Sequence, residues 1–221
     1  MANRQSIALR QLPVANFLWS ARMSKAVAIA AHEHEVAETR SLGFWVYLMT
    51  DCVLFAALFA TYAVLHTATA GGPSGKELFE LPYVLLETMV LLASSFSAGL
   101  GILGARRRDK TAVLFWFAIT FLLGLLFLGL EISEFHKLIA EGASFRNSAF
   151  LSSYFTLVGT HGLHITAGLT WMGVMLWQVW KKGVTPKLAN GLGLLSLFWH
   201  FLDIVWIFIF TIVYLFGSLG V

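Results

Sequence analysis

Apolar positions along this chain come in long, nearly unbroken blocks separated by short polar breaks. Five blocks, near 43–66, 82–105, 111–133, 150–180 and 191–217, are long enough to cross a bilayer, which takes about 20 apolar residues in helical form. The first break holds Gly71, Gly72, Pro73 and Gly75. The others are "GARRRDK", "AEGASFRNS" and "KKGVTPKLAN", where Pro186 is expected to act as a stop. Breaks this short place consecutive helices side by side and antiparallel. The expected fold is therefore all-α: an integral membrane bundle of five transmembrane helices over 43–221, preceded by a polar tail over 1–42. No internal repeat and no soluble domain is expected.

Composition supports the membrane class. Of 221 residues, 58% are hydrophobic and only 12% charged, about half the charge of a soluble domain; mean hydropathy is +0.76. The net charge of +3 does not point to nucleic acid, because the cations flank the apolar blocks. Lys and Arg number five in the tail, four in the second break and three in the fourth. The first break has one, the third has two and the C-terminus has none. The positive-inside rule then places the N-terminus in the cytoplasm and the C-terminus in the periplasm. The tail's apolar run "AVAIAA" is short for a signal-peptide core, so the tail is expected to remain on the mature protein; its "HEHE" (32–35) is expected to be a solvated charge run. Cys52, the one cysteine, excludes an intrachain disulfide and is expected to be a packing residue.

Six ionisable residues interrupt the apolar blocks: Asp51, Glu87, His161, His164, His200 and Asp203. An ionisable group in hydrocarbon costs several kcal/mol unless it is paired or turned inward. These six should form an internal polar cluster or face another subunit. His161 with His164, and His200 with Asp203, are spaced i,i+3 and share helix faces. Three uses stay open: hydrogen bonding between helices, with Glu87 or Asp51 meeting His200 or His161; a part in proton movement; and metal or haem ligation. Ligation is the weakest, because a histidine metal site needs three or four converging ligands. Glu131 and Glu134 are expected to be solvated carboxylates at the end of the third helix. Arg106, Arg107, Arg108 and Lys110 form a basic cluster that sets topology, the three arginines being candidates for lipid head groups. Phosphate-binding loops, nucleophile elbows and paired broken helices are absent from the sequence, which weakens nucleotide, hydrolase and transporter readings.

The motifs together resemble a known family. "GFWVYLMTDCVLFAALFATYAVL" (43–65), "TAGGPSGKELFELPYVLLET" (69–88), "GLEISEFHKLI" (129–139), "GTHGLHITAGLTWM" (159–172) and "LSLFWHFLDIVWIFIFTIVYLFG" (195–217) are similar to subunit III of the haem-copper respiratory oxidases. They are nearest to its cytochrome o ubiquinol oxidase branch. The resemblance implies the five-helix form rather than the seven-helix one, in a bacterial inner membrane. It implies no catalytic residue, haem or metal in this chain. Haem, copper and ubiquinone are then expected in partner subunit I, with subunit II and a small subunit IV completing the complex and phospholipid bound on this chain. The family's buried glutamate corresponds to Glu87, and its histidine motif to His200. Two alternatives stand beside this. One is a stand-alone haem or metal protein using His161, His164 and His200; the other is a proton-coupled transporter using Glu87 and Asp51.

Overall fold

The computed structural model describes residues 3–71, 80–140 and 142–219, with side chains described at 19, 22–25, 27, 35–71, 80–140 and 142–218. Gly72, Pro73 and Gly75 of the first break lie outside the described residues, as do the side chains of His32, Glu33 and His34 in "HEHE". All regular structure among the described residues is helical. The elements are α1 (Asn3–Leu65), α2 (Leu81–Arg106), α3 (Lys110–Ala140), α4 (Ala149–Lys182) and α5 (Pro186–Ile209). A six-residue π-helix (Phe210–Leu215) and a final turn, α6 (Phe216–Leu219), complete the chain.

The chain divides into two units, residues 1–46 and 47–221. In the first, the backbone is helical from Asn3 onward, and every described side chain is exposed or half-buried. The second holds the bundle. There α2 packs on α3, α3 on α4, α4 on α5, and α5 back on α2, closing a ring of four helices. Residues 47–65 of α1 lay aromatic side chains against α4 and α5: Phe55 on Phe201 and the histidines of α4, and Tyr62 on Phe150.

Local sequence explains the helix boundaries. Ser148 caps α4 by accepting from the Leu151 amide at 3.1 Å. Thr185 caps α5 in the same way from Leu188 at 3.3 Å. Proline at the first helical position loses no intrahelical bond and has the right φ already. Pro186 therefore opens α5 instead of stopping the helix before it. Asp109 accepts from the amides of Thr111 and Ala112 at the start of α3.

Among the described residues, four helices are long and apolar enough to cross a membrane: Glu35–Leu65, Leu81–Arg106, Lys110–Ala140 and Pro186–Ser218. They coincide with the first, second, third and fifth apolar blocks. The 34-residue α4 is as long, but its serines, threonines, histidines and glycines dilute its apolar character, so it falls outside these four. Cys52 is exposed on α1 and is not part of the core, contrary to the expectation of a packing role.

The core is built around small residues facing large ones. At Gly124 of α3, a β-carbon would come within 2.8 Å of Trp199 and 2.9 Å of Leu169. At Gly101 of α2 it would lie 2.7 Å from Phe117. These contacts let α3 approach both neighbours and bury Trp199, Trp206, Phe117 and Phe127 completely. Without a hydrophobic drive between helices in lipid, such close packing is the main source of association.

Candidate functional site

Polar residues inside the bundle fall into separate groups, each set by one helix pair. Along the α2/α5 seam, three hydrogen bonds run in a single antiparallel register. Trp206 Nε1 donates to Thr88 Oγ1 at 3.0 Å, and Trp199 Nε1 donates to Ser94 Oγ at 3.0 Å. Ser95 Oγ and His200 Nδ1 share a bond of 2.6 Å. Asp203, one turn along α5, has Ser95 and His200 as its polar neighbours. On the adjoining face, Ser97 Oγ and Thr120 Oγ1 link α2 to α3 at 2.8 Å.

This register separates Glu87 from His200. Glu87 is level with Trp206, whereas His200 is level with Ser95, about 12 Å further along α2 at about 1.5 Å per residue. The expected meeting of Glu87 with His200 is thus replaced by another partner set. Glu87 faces the carboxyls of Glu134 and Glu131 on α3. It is fully buried, and neither of its oxygens has a hydrogen-bond partner.

Glu131 and Glu134 are themselves buried, not solvated at a helix end. The Tyr214 hydroxyl donates to Glu134 Oε2 at 2.9 Å and shares a second bond with the Tyr154 hydroxyl at 2.9 Å. Tyr214 lies in the π-helix, whose wider turn sits where this hydroxyl reaches α3. Glu131 presses on Gly162 of α4, where a β-carbon would stand 2.8 Å from Oε1. Its Oε2 is buried without a partner.

The two histidines of α4 also part company. His164 Nδ1 donates to the Thr160 carbonyl at 2.7 Å, and Nε2 lies 3.7 Å from Asp51 Oδ2 on α1. That distance is an electrostatic contact and not a hydrogen bond. Tyr47, one turn before Asp51, is that carboxyl's other neighbour. His161 is fully buried with both ring nitrogens unpartnered. It stacks on Trp206 at 5.3 Å and meets Phe127 edge-on at 6.0 Å.

The single internal cluster expected of Asp51, Glu87, His161, His164, His200 and Asp203 is therefore three polar groups and one histidine among rings. The reason is geometric. Shared depth in the membrane does not bring side chains together when they leave their helices on different faces. Among the described residues, no three His, Cys, Asp or Glu side chains converge as a metal-ligand set. A haem or metal held jointly by His161, His164 and His200 finds no such grouping.

Glu131, Glu134, Tyr154 and Tyr214 were not among the candidates from sequence. The two glutamates carried one usable signal: Glu131 falls inside the third apolar block and Glu134 directly follows its last residue. The tyrosines carried none, since 60 positions separate them.

Comparison with known proteins places the whole arrangement. The family described as cytochrome c oxidase subunit III matches residues 3–218. The chain is 59% identical to cytochrome bo(3) ubiquinol oxidase subunit 3 of Pseudomonas aeruginosa, over 85% of this chain and 90% of that protein. It is 47% identical to quinol oxidase subunit 3 of Bacillus subtilis, over 86% and 93%. It is also 47% identical to cytochrome c oxidase subunit 3 of Bacillus sp. strain PS3, over 83% and 88%. A match of that extent, on a ring of helices with polar seams turned inward, makes this chain a member of the cytochrome c oxidase subunit III family.

Proposed function

We propose that this chain is a non-catalytic subunit III of a proton-pumping terminal oxidase that oxidises ubiquinol and reduces oxygen. The observation that carries the reading is the 59% identity to the Pseudomonas aeruginosa ubiquinol oxidase subunit across 90% of that protein. Haem, copper and ubiquinone belong to partner subunit I in this reading, with subunits II and IV alongside. The chain's task is to pack on subunit I, stabilise it and hold phospholipid. It crosses the bacterial inner membrane five times, with α4 as the remaining crossing because it is as long as the other four and packs between α3 and α5 in the ring. The N-terminus is cytoplasmic and the C-terminus periplasmic, in keeping with the distribution of Lys and Arg.

Two features support the lipid role. Arg106, Arg107 and Arg108 are all exposed at the α2–α3 turn. Arg107 also lines a cleft of about 190 Å³ with Trp116 and Gly104. A cation beside an aromatic ring and an apolar wall suits an anionic head group with its acyl chain. Asp51, Glu87, His161, His164, His200 and Asp203 serve as internal polar contacts in this reading, without a catalytic step.

A second reading of the electron donor has its own support, because the strain PS3 relative is named as a cytochrome c oxidase subunit. One experiment separates them. The chain is tagged in its native membrane and the complex purified in mild detergent. Oxygen uptake is then followed with ubiquinol or with reduced cytochrome c. Haem that co-purifies with a larger partner, and uptake driven by ubiquinol, is the expected result. Uptake driven only by cytochrome c replaces the donor; haem retained by the isolated chain overturns the reading.

A further inference from the structure

An outward-facing cavity of about 200 Å³ opens between α3 and α4. Its lining includes Leu128, Ile132, Phe135 and Leu163, together with Glu131, Gly162 and Thr166, whose hydroxyl already donates to the Gly162 carbonyl. Ile132 and Leu163 are exposed at its mouth, so the cavity communicates with the hydrocarbon around the bundle. Glu131 itself is only 2% exposed, and its Oε2 has no partner. Gly162 lets the carboxyl lie close against α4, since a β-carbon there would stand 2.8 Å from Oε1. Lys137, six residues further along α3, forms an ion pair with Glu80 at 2.7 Å. That pair is exposed and stands about 9 Å along the helix from Glu131. The carboxyl thus lies shallow in the bundle, within reach of an amphiphile entering sideways from the lipid.

The chemistry of the lining selects the ligand. No Lys or Arg lines the cavity, so a phosphate head group would be buried without a counter-charge, which is costly. A flat apolar body fits beside the Phe135 ring, since aromatic pairs stack or meet edge-on favourably. A buried carboxyl oxygen without a partner accepts a hydrogen bond from a hydroxyl. We propose that this cavity binds the head of a neutral, hydroxyl-bearing amphiphile, an isoprenoid hydroquinone, with one ring hydroxyl donating to Glu131. The choice of a hydroquinone among such amphiphiles rests on the ubiquinol-oxidase reading; the cavity and its acceptor do not. The site is a holding place for quinol on this subunit and involves no electron transfer.

The test uses the purified complex and an azido-substituted short-chain ubiquinol as a photoreactive probe. Label is expected in residues 128–135 and 159–166 of this chain. Incorporation should fall at least tenfold in Glu131→Leu and in Gly162→Val, and persist in Glu131→Gln, whose amide oxygen still accepts. Haem content and partner recovery are measured on each variant. If Gly162→Val fails to assemble, the Leu and Gln pair at position 131 decides. Label absent from both segments in the intact wild-type complex overturns the proposal, as does equal labelling of Glu131→Leu. Extraction of a different bound amphiphile from the site overturns the hydroquinone assignment. A complex that carries haem and oxidises ubiquinol but shows no label defeats this inference alone; absence of a haem-bearing partner defeats the reading beneath it.

Discussion

From Thr88 to Ser97, α2 meets its neighbours through hydroxyls that all find partners. One residue earlier, Glu87 turns toward two other carboxyls and finds none. The first region is a ladder: Thr88, Ser94, Ser95 and Ser97 are matched to Trp206, Trp199, His200 and Thr120. Each such bond is worth about 0.5–1.5 kcal/mol net. The three that reach α5 have a larger effect: they fix how far α5 slides along α2, because a shift would strand each of them. The second region holds Glu87, Glu131 and His161, whose polar atoms are buried and in large part unpaired. Its order comes from the packing around it, with the rings of Trp206, Phe127 and His161 in mutual contact. Paired groups in this bundle define register; unpaired ones occupy space that the register has already shaped.

Five substitutions probe that contrast. Trp206→Ala should have the largest effect, because it removes a fully buried ring that serves both regions. A loss of about 3–5 kcal/mol is expected for such a truncation. Thermal unfolding of the purified chain in detergent measures it, and a change near zero would mean that the ring contacts carry little. Gly124→Leu should come next, costing about 1–3 kcal/mol by overpacking against Trp199 and Leu169. Combining it with Trp199→Phe should recover part of the loss, and a double-mutant cycle reads the coupling.

Ser95→Ala leaves His200 without its partner and should cost about 1–3 kcal/mol. Glu87→Gln breaks no bond and should cost less than the serine change. The reverse order in the same unfolding measurement would show that the carboxyl region, not the ladder, holds the helices. Asp51→Asn should give the smallest effect, about 0.2–1 kcal/mol, since Asp51 and His164 touch only at 3.7 Å. A larger loss would place the α1 contact among the fold's main supports.

Much of this architecture was legible in the residues. Apolar blocks separated by Gly, Pro and charge identify helices because every backbone polar group in hydrocarbon must be satisfied within its own segment. The same rule turns Asp51, Glu87, His161, His164, His200 and Asp203 away from lipid. The motifs identified the family, which the match over residues 3–218 establishes. Pro186 was visible but ambiguous, since proline both ends and begins helices; the Thr185 cap decides for the second.

What the sequence determined by itself is thus the class of fold, the helices and part of the inward-facing set; Glu131 and Glu134, expected at the solvated end of a helix, are buried as well. Which of those residues meet was decided only in three dimensions. Ser95 and His200 are 105 positions apart, and Tyr214 reaches Glu134 across 80. Such pairings depend on the rotation and slide of whole helices. Those are governed by where a glycine faces an aromatic ring, as Gly124 does Trp199 and Gly168 does Phe198. Hydropathy reports that a residue is buried, but a one-residue change of register rotates a helix by about 100°. Partner identity therefore lies in the packing and cannot be read from the pattern.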